Sequence, residues 1–189
     1  MGDFSLTYNG LVYNSTKPMI HITAITDVVG FYDKEEIYGD PETFLPIRVE
    51  RFVRQTGKEQ NLIEYYNHET NSVRIVDSDT NEEIDFIEKS DPLQNVILLY
   101  YFFRTQDLKI KDEYEYNLPT EEGVVTVKKK KKIKVPYDKC ETFFLRAKPN
   151  ILELWVSTQP EPLPMKIKLK TLLANYNIEL REIVTPDSL

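Results

Sequence analysis

The chain has 189 residues, is 41% hydrophobic and 29% charged, and carries a net charge of −7. A chain of this length buries roughly 70% of the surface it exposes when unfolded, so it needs no disulfide framework, and its one cysteine, Cys140, could not form an internal disulfide. The acidic balance argues against nucleic acid as the main partner, and twelve Tyr and nine Phe against six Gly favour sheet over irregular structure.

Strand patterns begin at once. Ser5 to Tyr13 and Pro18 to Val29 lead, and in the second Ile20, Ile22, Ala24 and Val28 share one face while His21, Thr23 and Asp27 share the other. Phe31 to Tyr38 and Pro46 to Arg54 follow. Asn61 to Asn67, Ser72 to Val76 and Glu83 to Ile87 are shorter, bounded by Asn, Asp and Thr turn residues.

The segment Asp91 to Arg104 breaks this pattern. Asp91 suits a helix N-cap and Pro92 the first helical position. Gln94 stands where a capping box would place it. From Val96 to Phe103 every residue is apolar, which predicts a helix enclosed nearly all round. Eight residues fall far short of the ~20 that cross a bilayer, so no transmembrane span is expected.

Further strands are expected at Glu113 to Leu118, Val124 to Val135, Glu141 to Ala147, Ile151 to Ser157, Leu163 to Lys170 and Tyr176 to Val184. In Leu163 to Lys170, Met165, Ile167 and Leu169 alternate with Lys166, Lys168 and Lys170, as in a half-buried strand. The expected fold is therefore mainly β: one domain over residues 1–189, a strongly curved antiparallel meander (open or half-barrel), with one buried helix at about 91–104. A sheet this large curls or splits into layers.

The candidates for chemistry are few. The run Lys128 to Lys132 followed by Ile133 and Lys134 reads as a solvated strand edge, with weak anionic contact as the alternative. A hairpin through Pro119 to Gly123 would set Glu115 opposite Lys128 and Glu113 opposite Lys130, with Tyr116 facing Val127 and Leu118 facing Val125. His21, His68 and Cys140 lack metal-ligand spacing, so no metal site and no cofactor are expected. Cys140 has no helix N-terminus to activate it. Glu35-Glu36 and Glu82-Glu83 read as turn or surface charges, and no catalytic motif is present, so no catalytic residue is assigned. Asn14-Ser15-Thr16 fits a glycosylation sequon, relevant only in a eukaryotic secretory setting. Aromatic residues remain. Tyr100, Tyr101, Arg104 and Trp155 are the candidates for lining a site for an apolar ligand, against the alternative that they are core.

The order of several motifs resembles a bacterial family of exported proteins known only as a domain of unknown function. The resemblance rests on Phe44-Leu45-Pro46-Ile47-Arg48, on Asp91-x-Leu93 leading to Tyr100-Tyr101-x-x-Arg104, on Ile133 to Cys140 leading to Lys148-Pro149, and on Leu154-Trp155-Val156-Ser157 followed by Leu163 to Ile167. It spans about Leu6 to Ile183. Gln94 stands where the family has serine. The resemblance implies export to the periplasm or envelope and a half-barrel similar to those of periplasmic lipoprotein carriers. It carries no activity. The chain's start, Met1-Gly2-Asp3, suits a protein whose leader has been removed and equally a cytoplasmic one. The leading expectation is a non-catalytic envelope protein that binds an apolar or amphipathic, lipid-like ligand. The alternatives are an envelope assembly module acting through a protein partner, and a glycan-active enzyme with paired carboxylates.

Overall fold

The computed structural model describes residues 3–14, 17–170 and 175–183. It is mainly β, and all thirteen strands among the described residues are antiparallel to their neighbours. The first seven form one sheet in sequence order: β1 (Asp3–Asn14), β2 (Lys17–Val28), β3 (Phe31–Gly39), β4 (Pro46–Gln55), β5 (Lys58–Asn67), β6 (Ser72–Asp77) and β7 (Glu83–Glu88). The helix α1 (Val96–Thr105) follows. The second sheet runs through β8 (Glu113–Asn117), β9 (Glu122–Lys134), β10 (Lys139–Lys148), β11 (Leu152–Ser157), β12 (Pro164–Lys170) and β13 (Asn175–Glu179). Neither sheet closes into a barrel. Each predicted strand is present. The predicted end of the last one at Val184, and Ser15 and Thr16 of the sequon, lie outside the described residues.

The chain divides into two compact units. One holds residues 1–99 and 117–121, the other 100–116 and 122–189, so the division falls inside α1. In the first unit, Ile22, Ile37 and Val49 sit side by side on one face of β2, β3 and β4 and are at most 1% exposed. Gly39 continues that face, and a Cβ there would stand 2.9 Å from Leu98 Cδ1, so the helix packs on the sheet where a side chain is missing. The opposite face carries a row of six directly paired residues: His21, Tyr38, Arg48, Tyr65, Arg74 and Phe86. His21 stacks on Tyr38 at 4.7 Å, and Arg48 and Arg74 lie over Tyr38 and Tyr65 at 4.7 and 5.2 Å. Cross-strand pairs of this kind each contribute roughly 0.2–1 kcal/mol.

In the second unit, Val125, Val127, Leu145, Ala147, Leu154, Val156 and Ile167 make the core face, none more than 3% exposed. Phe102 and Phe103 meet Tyr114 edge-on at 6.1 and 5.4 Å.

Two local expectations need correction. The helix does not begin at Asp91. Asn117, at the end of β8, takes over the backbone of that stretch: Gln94 N–H donates to Asn117 O (2.7 Å), Asn117 N–H donates to Gln94 Oε1 (2.9 Å), and Asn117 Nδ2 donates to Asp91 O (2.7 Å). The cap is Asn95, whose Oδ1 accepts from Ile97 N–H (2.8 Å) and Leu98 N–H (3.3 Å). Pro92 and Gln94 are thus outside the helix.

The hairpin between β8 and β9 is also tighter than expected. Leu118 and Glu121 exchange backbone hydrogen bonds around a two-residue turn. Thr126 Oγ1 then reaches Glu113 Oε1 at 3.4 Å, and Val127 pairs with Lys111 and Asp112. Glu113 and Glu115 therefore do not oppose Lys130 and Lys128. Lys128 is the extra residue of a bulge, because Phe144 pairs with Lys129 and Leu145 with Val127. Lys128 to Lys132 are all exposed. Beyond Val127, no described strand pairs with the second edge of β9. Lysines on such an edge oppose sheet-to-sheet pairing.

Candidate functional site

The register of β3, β4 and β5 gathers charged residues on the core face of the first sheet. Moving along that face away from Gly39, the apolar pair Ile37 and Val49 gives way to Glu35 opposite Arg51, then Asp33 opposite Val53. On β5, Leu62 opposes Arg51 and Glu64 opposes Val49. Period-two alternation places Asp33, Glu35, Arg51 and Glu64 together on the face that also carries Ile37 and Val49.

Arg51 organises the cluster. Its Nε donates to Asp33 Oδ1 at 2.9 Å and its Nη2 to Asp33 Oδ2 at 2.5 Å, a two-pronged pair. The same guanidinium stands 3.7 Å from Glu35 Oε1. Tyr66 Oη donates to Glu64 Oε2 at 2.7 Å. Two carboxyl groups, those of Asp33 and Glu35, thus meet one guanidinium, and the Arg51 charge also acts on Glu64. Burial pushes the Glu35 carboxyl up to about 7; Arg51 opposes the rise, while Asp33 and Glu64 add to it. Burial likewise raises Glu64 against the pull of Tyr66 and Arg51. Tyr66 is raised well above its ordinary value by burial and by Glu64. For Arg51, burial acts to lower the pKa, but the Asp33 hydrogen bond and the surrounding carboxylates outweigh it and raise the pKa.

The cluster adjoins open space. A cleft of about 510 Å³ is lined by Val53, Gln55, Thr56, Lys58, Glu59 and Gln60, at the β4–β5 hairpin. Val53 pairs with both Asp33 and Gln60, so the cleft and the charged row are continuous along the face. Its size falls within the range of small-molecule sites.

The aromatic candidates lie elsewhere. Tyr100 is fully enclosed and Tyr101 is 8% exposed. Arg104 lies over the Tyr101 ring at 5.5 Å, and its Nε donates to Pro162 O at 2.6 Å, tying the helix end to the loop before β12. A smaller cleft of about 270 Å³ opens beside Phe103, Phe143, Val156 and Pro162. Trp155 is on the sheet face opposite Val156, so it is not brought together with Tyr101 and Arg104. Among the described residues no group of His, Cys, Asp and Glu is arranged to hold a metal ion. Burial and the Asp138 charge push the Cys140 thiol up, the wrong direction for a nucleophile.

The family described as "Protein of unknown function (DUF3108)" matches residues 1–181. The chain belongs to the DUF3108 family. No curated protein and no solved structure matches it significantly. The Asp33–Glu35–Arg51–Glu64–Tyr66 cluster of this DUF3108 chain was missed in the sequence because Glu35-Glu36 looks like a surface pair. In fact Glu35 faces the core side of β3, and Glu36 turns the other way to accept from Thr23 Oγ1 at 2.6 Å and to meet His21 Nε2 at 2.7 Å. The available signal was parity: Asp33, Glu35 and Ile37 alternate on one face.

Proposed function

We propose that this DUF3108 chain is a non-catalytic binding protein of the bacterial envelope. The open end of its first sheet takes an amphipathic ligand, whose cationic or hydrogen-bond-donating group meets Glu35 and Glu64. The observation that carries this reading is the excess of half-buried carboxyl groups over cations beside Val53, Leu62 and an open cleft. Such a site favours an incoming positive charge and offers apolar surface next to it. The envelope setting rests on the motif resemblance. The test is calorimetric titration with dodecylamine at pH 8, with dodecyl sulfate as the control, both below micelle formation. Saturable binding of the amine that weakens at least tenfold in Glu35→Gln and Glu64→Gln is the expected result. Equal binding of both amphiphiles, or none, would sink the reading.

One feature favours a second reading, a glycan-active enzyme. Burial pushes the Glu35 carboxyl up to about 7 next to the arginine-paired Asp33, and a general acid needs a carboxyl raised in this direction. Aryl glycosides assayed between pH 5 and 8 decide it: turnover no greater than that of Glu35→Gln removes it.

A further inference from the structure

The face of the second sheet opposite Leu145, Leu154 and Val156 carries cations that neither the core nor the cleft on the first sheet uses. Register places Lys129, Phe144, Trp155, Lys166 and Glu179 in one row across β9 to β13. Adjoining rows add Lys131 opposite Thr142, and Arg146, Glu153 and Lys168 side by side. In these rows five cations face two carboxylates, in a chain whose net charge is −7. Both carboxylates are engaged: Glu179 with Lys166 at 2.5 Å, Glu153 with Arg146 at 2.7 Å. Glu113, on the neighbouring β8, accepts from Thr126. Lys168, whose ammonium lies over the Trp155 ring at 5.8 Å, forms no ion pair among the described residues.

Trp155 lies beneath this cationic cover and is 6% exposed. Phe144 packs against it at 4.8 Å, and Lys166 also stands 5.8 Å from its ring centroid. The indole Nε1–H is buried and donates to no acceptor among the described residues. Buried donors without acceptors are uncommon in folded proteins and call for an explanation. Here the surroundings are cationic, so the missing acceptor would satisfy two needs at once if it were an anion.

We propose that this face binds one anionic group, a phosphate or carboxylate. It accepts a hydrogen bond from Trp155 Nε1–H and pairs with Lys168, and Lys129 and Lys131 draw it in from the same face. Lys168 is exposed on a flexible four-carbon stem, so it is the part of the cover that swings aside to admit the group. The site is independent of the cleft on the first sheet.

Trp155 is the only tryptophan in the chain, so its fluorescence reports this site alone. The probes are inorganic phosphate, phosphatidylglycerol vesicles and, as a control, phosphatidylcholine vesicles, each titrated at pH 7. A saturable change in emission with phosphate identifies a free anion, and one with phosphatidylglycerol only identifies a lipid headgroup. Either is expected to weaken at least tenfold in Lys168→Gln. Calorimetry with Trp155→Phe, its fold checked by circular dichroism, is expected to show the same loss. Lys109→Gln, an exposed lysine in the loop before β8, is expected to leave binding unchanged. No saturable response to phosphate or phosphatidylglycerol overturns the proposal. So does equal binding to phosphatidylcholine, unchanged binding in Lys168→Gln or Trp155→Phe, or equal weakening by Lys109→Gln.

Discussion

Arg51 grips Asp33 across β3 and β4 with two parallel hydrogen bonds, Nε to Oδ1 at 2.9 Å and Nη2 to Oδ2 at 2.5 Å. Asp33 is 8% exposed, and it holds the guanidinium within reach of Glu35. The pair sets the geometry of the whole cluster. Asp33→Asn keeps the shape and removes the charge, leaving a partly buried guanidinium with a weaker partner. Full burial would make this cost 3–5 kcal/mol; the Arg51 side chain is a third exposed, so about 1–2 kcal/mol is expected. Urea unfolding measures it, and a loss below about 0.5 kcal/mol would show the pair to be incidental.

Glu35 makes stability depend on pH in a defined sense. Its carboxyl rises from 4.5 to about 7 on folding, so the folded chain holds this proton more tightly than the unfolded chain. The stabilisation is fully present below about 4.5 and is lost as pH rises through about 7. Linkage sets a ceiling of about 3 kcal/mol, and partial exposure of the side chain brings the expected size to about 1–2 kcal/mol. Glu64, also raised, acts in the same direction. Glu35→Gln should flatten the profile between pH 4.5 and 7 and exceed the parent in stability at pH 8. A steeper profile would contradict the assignment.

The correction at the helix start is itself testable. Asn95→Ala removes the acceptor for Ile97 and Leu98 N–H and should cost about 1 kcal/mol. Asp91→Ala should cost no more than a few tenths, because Asp91 joins the network through its backbone oxygen, which accepts from Asn117. A reversed order in thermal or urea unfolding would restore Asp91 as the cap.

Gly123 has no room for a methyl group. A Cβ there would overlap the Lys148 carbonyl oxygen and lie 2.9 Å from both Pro149 Cδ and Tyr116 Oη. The obstacle is largely backbone, so Gly123→Ala must shift β9 against β10 and should cost about 1–3 kcal/mol. Gly57→Ala meets no atom but sits at φ +80°, and its cost should come from backbone strain alone. Comparing the two by urea unfolding separates packing from strain.

Much of this molecule is legible in its residues. Alternation in Pro18 to Val29 and Leu163 to Lys170 sets the strands and their buried faces, because a side chain's face follows from parity alone. The all-apolar run Val96 to Phe103 sets the buried helix for the same local reason. Tertiary structure decided what depends on partners distant in sequence. Asn117 claims the backbone of Asp91 and Gln94 and moves the cap to Asn95, although Asp-Pro favours an earlier start. A two-residue turn and one bulge move the lysine run away from Glu113 and Glu115 and align Lys129 and Lys131 with Trp155. The charged cluster follows from the pairing of three strands, which brings Asp33, Arg51 and Glu64 within reach. Pattern along one strand gives a side chain its face; only register across strands gives it a neighbour, and the chemistry of both proposed sites lies in those neighbours.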